Sequence, residues 1–162
     1  MRLAMPTAAL LLSTLLAQPL AAQEALPLTK GQSVYVPVYS QISHGNLDGR
    51  GQPMELLLSG MLSIRNTDPT TPITITAARY YGTDGKVLRE FITKPTVLGA
   101  MASTDYFVEH KDKSGGTGAN FVVEWHADKP VNPPLIETVN AYFFGTQSVA
   151  FTSPGRPILV PK

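Results

Sequence analysis

Residues 56–92 read LLLSGMLSIRNTDPTTPITITAARYYGTDGKVLREFI, and this stretch decides the fold. Leu56, Leu58, Gly60, Leu62 and Ile64 fall on one side of an extended chain, and Leu57, Ser59, Met61, Ser63 and Arg65 on the other. Successive side chains of a strand point to opposite faces, so the pattern predicts one long strand with a buried face. The run Asn66 to Pro72 interrupts it, because Asn and Asp side chains capture nearby backbone groups and two prolines remove ladder donors. From Ile73 to Tyr81 the alternation resumes with β-branched Ile and Thr, which suit a half-buried pleated surface. Asp84-Gly85 then supplies the positive-φ residues of a tight hairpin, and Val87 to Ile92 returns as its partner.

The same period of two extends in both directions. Ser33 to Ser40 sets Val34, Val36 and Val38 against Tyr35, Pro37 and Tyr39. The valines are expected to face the core, and Pro37 assigns the strand to a sheet edge because proline cannot donate to a ladder. Gln41 to Pro53 is a loop rich in Gly, Asn and Asp that contains His44. Beyond the decisive stretch, Pro95 to Ala102 connects to a strand from Ser103 to His110. Lys111 to Gly118 is a glycine-rich loop, and Asn120 to His126 leaves it as a strand with Phe121, Val123 and Trp125 on one face. Pro130, Pro133 and Pro134 mark a break; Thr138 to Phe144 and Ser148 to Thr152 pair next, ahead of a Pro-bounded tail from Arg156 to Lys162. Seven to eight strands and no helical period predict an all-β, Ig-like two-sheet β-sandwich.

At the N-terminus, Arg2 precedes the apolar run Leu10 to Leu16 and the small residues Ala21 and Ala22. This pattern reads as a signal peptide over 1–22, too short for the roughly 20 apolar residues of a membrane span. A linker at 23–30, a β-sandwich domain at 31–156 and a tail at 157–162 complete the expected organisation. Thirteen basic and twelve acidic residues fall to twelve of each once Arg2 leaves with the leader. A neutral chain lacks the basic footprint that nucleic acid demands. No cysteine is present, so neither a disulfide nor a lipidated thiol contributes, and stability rests on packing and sheet hydrogen bonds. A soluble periplasmic or secreted protein is the expectation.

The strings Gly-Gln-Ser-Val-Tyr-Val-Pro-Val-Tyr-Ser from Gly31, Leu-Ser-Ile-Arg-Asn-Thr-Asp from Leu62 and Lys-Asp-Lys-Ser-Gly-Gly-Thr-Gly-Ala-Asn-Phe from Lys111 resemble a bacterial family known as domain of unknown function 3124. The likeness runs from about Gly31 to Arg156 and implies membership, with no activity, substrate or cofactor attached to it. The Arg-Asn-Thr-Asp-Pro turn followed by an Asp-Gly hairpin is also similar, at the level of fold alone, to Ig-like extracytoplasmic modules of the late-embryogenesis-abundant type.

Candidate chemistry is sparse. Ser114-Gly115-Gly116-Thr117-Gly118 has the glycine content of an anion-binding loop, but a strand follows it where phosphate loops need a helix N-terminus. A backbone nest for a small anion or carboxylate is one reading; an ordinary hairpin loop fixed by Asp112 and Asn120 is the other. His44, His110 and His126 are the only histidines. If the strands flanking the glycine loop pair, His110 and His126 face each other, with Glu109 or Glu124 near, and a zinc or copper site becomes the alternative reading. No nucleophile elbow, His-Glu-x-x-His pair or cysteine nucleophile marks an enzyme. Trp125, Phe121, Phe143 and Phe151 fit inward positions, whereas among Tyr35, Tyr39, Tyr80, Tyr81 and Tyr142 some must face outward.

The sequence therefore supports a non-enzymatic module, with no cofactor, that binds an unidentified protein or envelope component through loops and an edge strand. The metal-binding protein is the alternative and an extracytoplasmic hydrolase the third reading. Candidate partner-binding residues are Glu109, Lys111, Asp112, Lys113, Ser114, Gly115, Gly116, Asn120 and Glu124. Three glycines within five residues are a costly way to close a hairpin, so a backbone that must approach something closely explains them better than a simple turn does.

Overall fold

The computed structural model describes residues 26–159, so the leader expected at 1–22 lies outside the described residues. Those residues form twelve strands and no helix. The strands are β1 (Thr29–Pro37), β2 (Gln41–His44), β3 (Met54–Leu57), β4 (Ser59–Arg65), β5 (Ile73–Tyr81) and β6 (Val87–Glu90), followed by β7 (Thr96–Leu98), β8 (Ser103–Val108), β9 (Asn120–Val131), β10 (Leu135–Phe144), β11 (Gln147–Pro154) and β12 (Arg156–Ile158). A six-stranded sheet runs β12-β1-β9-β5-β6 with β7 also on β5; a four-stranded sheet runs β11-β10-β4-β8; β2 and β3 pair by themselves. Every pairing is antiparallel.

The alternation in sequence places the core between the two larger sheets. Val34, Val36, Ile73, Ile75, Tyr80, Phe121, Val123 and Trp125 come from the six-stranded sheet, and Leu62, Ile64, Val108 and Ile136 from the four-stranded one, all in a single buried cluster. Each aliphatic side chain so buried contributes about 1.5–3 kcal/mol. Val38 extends the valine row of β1 as expected, while Leu58 is fully buried but stands apart from that cluster. Phe91 plugs the gap between the sheets, with its ring 5.7 Å from Phe121 and 5.5 Å from Tyr106.

Several expectations need correction. The long strand from Leu56 is two strands in different sheets. Leu58 donates its N–H to Ser40 O (2.9 Å), which turns the chain out of register with β10, whose last partner on β4 is Ser59. Gly60 permits the crossing: a Cβ there would sit 2.5 Å from Val38 Cγ2. Pro37 does not mark an edge, because β1 lies between β12 and β9. Val38 donates to Ala119 O on the β9 side, so the donor that Pro37 lacks would face β12, whose pairing stops at Tyr35. Pro130 lies inside β9, past His126 where pairing with β5 ends. The expected tail begins with a strand, since Arg156–Ile158 pairs with Ser33–Tyr35. Of Asp84-Gly85 only Gly85 takes positive φ (78°); Asp84 caps the turn by accepting the Lys86 N–H.

Most consequential, β8 and β9 belong to different sheets, so Lys111–Gly118 is a crossover between sheets and not a hairpin loop. It lies at the end of the molecule that also carries the β5–β6 turn and the β10–β11 turn. The opposite end gathers Asn66–Pro72, Gly99–Ala102 and Asn132–Pro134.

Candidate functional site

The crossover is fastened to the protein's own framework. Gly115 is buried, and a Cβ on it would lie 2.0 Å from the Tyr80 hydroxyl and 2.7 Å from Ser40 Oγ. Those two hydroxyls bond each other at 2.7 Å. Burial pushes the Tyr80 pKa up, while the Ser40 hydroxyl and the Gly115 backbone oppose that shift. Gly116 takes φ 70°, a conformation open to glycine and rare for other residues. Thr83 holds the loop from the other side, donating its N–H (3.0 Å) and hydroxyl (2.8 Å) to Gly115 O and accepting the Gly118 N–H (2.9 Å). Ser40 N–H reaches Gly116 O. The close approach expected of these glycines is therefore made to Tyr80, Ser40 and Thr83.

What remains outward is the first half of the crossover, with Thr117 and Gly118. Glu109, Lys111, Lys113 and Ser114 are exposed, and Asp112 caps the turn by accepting the Ser114 N–H (3.0 Å) and hydroxyl while facing Arg89 at 3.6 Å. Asn120 opens β9 opposite Pro37 and Tyr81. Glu124 stands four pairs further along β9 and receives Arg79 at 2.6 Å, an ion pair on the outer side of the six-stranded sheet that Glu90 extends at 3.1 Å. That pair holds the Arg79 pKa above its ordinary value, led by the Glu124 hydrogen bond. Glu124 thus belongs to a different surface from Glu109 and Lys111.

The histidines do not converge as the alternative reading requires. His110 follows β8 and lies against Tyr142, ring centroids 6.1 Å apart, whereas His126 sits opposite Gly31 and Thr74 in the other sheet. His44 ends β2. Among the described residues no three His, Cys, Asp or Glu side chains cluster as metal ligands would.

Two surfaces escaped sequence reasoning. One is the outer face of the four-stranded sheet, where Phe107, Met61 and Val139 lie in register across β8, β4 and β10, with Phe107 53% exposed. It continues to Phe143, which is 73% exposed, against the inward position expected for it. Ala141 and Val139 share its outward parity, because the polar Thr138 and Asn140 take the inward positions of β10. The other is a cavity of about 600 Å³ at the opposite end, walled by Pro27, Pro133, Pro134, Pro154 and Pro157 and floored by Val34 and Ile136, with no charged residue. Proline clustering in the sequence hinted at rigid turns there but not at their meeting.

Edges distinguish the sheets further. At one corner β11 meets the first sheet: Tyr39 packs edge-on against Phe151 at 5.6 Å, and the chain leaves Pro154 through Gly155 onto β1 as β12. On the far side β8 is the terminal strand, six residues without proline or lysine, and it runs directly into Glu109–Lys113.

No curated protein matches the chain. The crystal structure of Thermotoga maritima 1070 is similar at 11% sequence identity and a TM-score of 0.40, covering 77% of this chain and 92% of that one. A family model described as protein of unknown function (DUF3124) matches residues 31–158. With that match spanning most of its length, the chain belongs to the DUF3124 family.

Proposed function

We propose that this protein is an extracytoplasmic, non-enzymatic β-sandwich module of Ig-like type that docks a protein partner by strand addition on β8 and the adjoining crossover. The observation that carries this reading is the unguarded edge. Terminal strands are ordinarily blunted by proline, lysine or covering segments, since unpaired N–H and C=O groups template further pairing. Short β7, Pro157 in β12 and the Arg89-Glu90 pair in β6 fit that practice; β8 has only Asp105. An extended partner segment would gain main-chain bonds along Ser103–Val108 and contact Phe107 on the outer face, while Lys111 and Lys113 at the strand's end favour an acidic continuation. The leader pattern at 1–22 supports the extracytoplasmic address.

The test places a photo-crosslinking residue at 107 and, as control, at 76 on the other sheet. A discrete crosslinked species at 107 that is absent at 76, and lost when Asp105→Lys guards the edge, is the expected result. Equal crosslinking at both positions, or none at 107, sinks the reading.

A further inference from the structure

The β10–β11 hairpin overshoots its sheet. Pairing with β4 ends at Ser59 opposite Ala141, yet β10 and β11 remain paired through Tyr142–Val149, Phe143–Ser148 and Phe144–Gln147 before turning at Gly145-Thr146, with Gly145 at φ 57°. The last three pairs therefore have no neighbouring strand on the β4 side. Consecutive strand residues face opposite ways, and here both tip residues are open: Phe143 is 73% exposed and Phe144 74%. From Thr138 to Gly155 the chain carries no charged residue.

A flat protein surface can cover one face of such a ribbon and leaves the other ring in water. A surrounding medium takes up both. We infer that this tip inserts shallowly into the surface of a lipid bilayer, a contact distinct from the β8 edge. The hairpin's chemistry fits that depth. Unpaired turn amides forbid entry into deep hydrocarbon, so the two phenyl rings reach the acyl boundary while the Gly145-Thr146 backbone stays hydrated among headgroups. Tyr142, with His110 against its ring at 6.1 Å, stands at the level where amphipathic aromatics collect. Glu109 and Lys111, on either side of His110, are both exposed, so the phenyl rings and not local charge drive the contact.

The absence of cysteine makes the test clean. A polarity-sensitive fluorophore is attached to Thr146→Cys at the tip and, in a second preparation, to Lys129→Cys at the opposite end, each in the full chain, with vesicles of phosphatidylglycerol and phosphatidylethanolamine. The tip label is expected to shift blue and to be quenched by shallow bilayer-borne quenchers, with the Lys129 label unchanged. Replacing both phenylalanines, Phe143→Ser with Phe144→Ser, should weaken vesicle binding at least about tenfold while the thermal midpoint stays put. A tip label that ignores vesicles overturns the inference. So does equal response at both labels, or binding undiminished in the double variant. A tip label that responds to envelope protein and not to protein-free vesicles overturns it in favour of a protein socket.

Discussion

Two connections cross between the sheets at opposite ends, and they are stiffened by opposite means. Asn66–Pro72 joins β4 to β5 and is held by side chains; Glu109–Ala119 joins β8 to β9 and is held by the absence of side chains. In the first, the two hydrogens of Asn66 Nδ2 are shared among Thr71 O (2.8 Å), Gly99 O (2.9 Å) and Leu98 O (3.2 Å), while Asn66 Oδ1 accepts the Asp68 N–H. Asp68 Oδ1 gathers the N–H groups of Thr70 and Thr71 and Oδ2 that of Asn132. In the second, glycines let the backbone itself reach Tyr80, Ser40 and Thr83. The first is a buried polar network whose members are all partnered; such networks fix one geometry and are costly to interrupt. The second leaves its first half, Lys111 to Ser114, facing solvent.

The sharpest way to break the contrast is at Asn66. Asn66→Ala leaves the Thr71, Leu98 and Gly99 carbonyls and the Asp68 N–H without their partner in a site only 2% exposed. A loss of roughly 3 kcal/mol in urea unfolding is expected, the desolvation cost of unpaired buried groups. Retention of wild-type stability would mean that the carbonyls find water and that the knot is not closed.

Gly115→Ala probes the other device. The new methyl must displace the Tyr80 hydroxyl, Ala119 Cβ and Ser40 Oγ, and overpacking of that kind costs about 1–3 kcal/mol. Tyr80→Phe alone should cost about 1 kcal/mol through the lost Ser40 bond. Because it removes the nearest clashing atom, the double variant should lose less than the two single losses added. Strict additivity in that cycle would place the strain elsewhere in the loop.

Acid separates the two regions without any substitution in the crossover. The Asp68 carboxyl is lowered from 3.8 to about 2, first by the Thr70 backbone N–H, then against opposing burial by those of Asn132 and Thr71. A depressed folded pKa means that the unfolded chain binds the proton first, so this contribution is complete above about pH 4 and is lost as pH falls through about 2. Unfolding midpoints should therefore decline across that window, and Asp68→Asn should flatten the Asp68 share of the slope while lowering stability at neutral pH. A variant whose acid profile superimposes on wild type would show that Asp68 is not the titrating group.

How far these features were legible in sequence follows from the same contrast. Alternation is local, so it revealed which face of β1 and β9 is buried, whereas in β5 the register shift between Ile75 and Ala77 moves burial from the parity of Ile73 and Ile75 to that of Ala78 and Tyr80; the Asn-Thr-Asp-Pro string announced a turn because Asx side chains act on backbone two or three residues away. Strand partners are not local. Nothing in Ser103–Val108 says that its neighbour is β4, and the hairpin reading of the glycine loop, together with the convergence of His110 and His126, came from assuming that sequential strands pair. The glycines signalled close approach, but what they approach, Tyr80 and Ser40, lies 35 and 75 residues upstream of Gly115. Phe143 faces outward because it shares the parity of Val139 and Ala141, whereas Phe144, on the inward parity of Thr138 and Asn140, is exposed because burial ends where the neighbouring strand ends, and β4 gives no sign in its own sequence of stopping three pairs short of the hairpin tip.

The smallest expected effect bears on the outward half of the crossover. Lys111 and Lys113 are exposed, and no ion pair among the described residues involves either. Lys111→Ala with Lys113→Ala should therefore change stability by no more than about 0.5 kcal/mol, the usual range for surface positions. The glycine contacts beneath them stay intact, which makes the pair a clean probe of recognition: any weakening of crosslinking at position 107 then reflects lost attraction to an acidic segment and not a loosened loop. That weakening should shrink as salt is raised, because exposed charges are screened beyond about 8 Å at physiological ionic strength. If stability falls well beyond that limit, the lysine stems are packing onto the fold, and the crossover is fastened along its whole length as thoroughly as Asn66–Pro72.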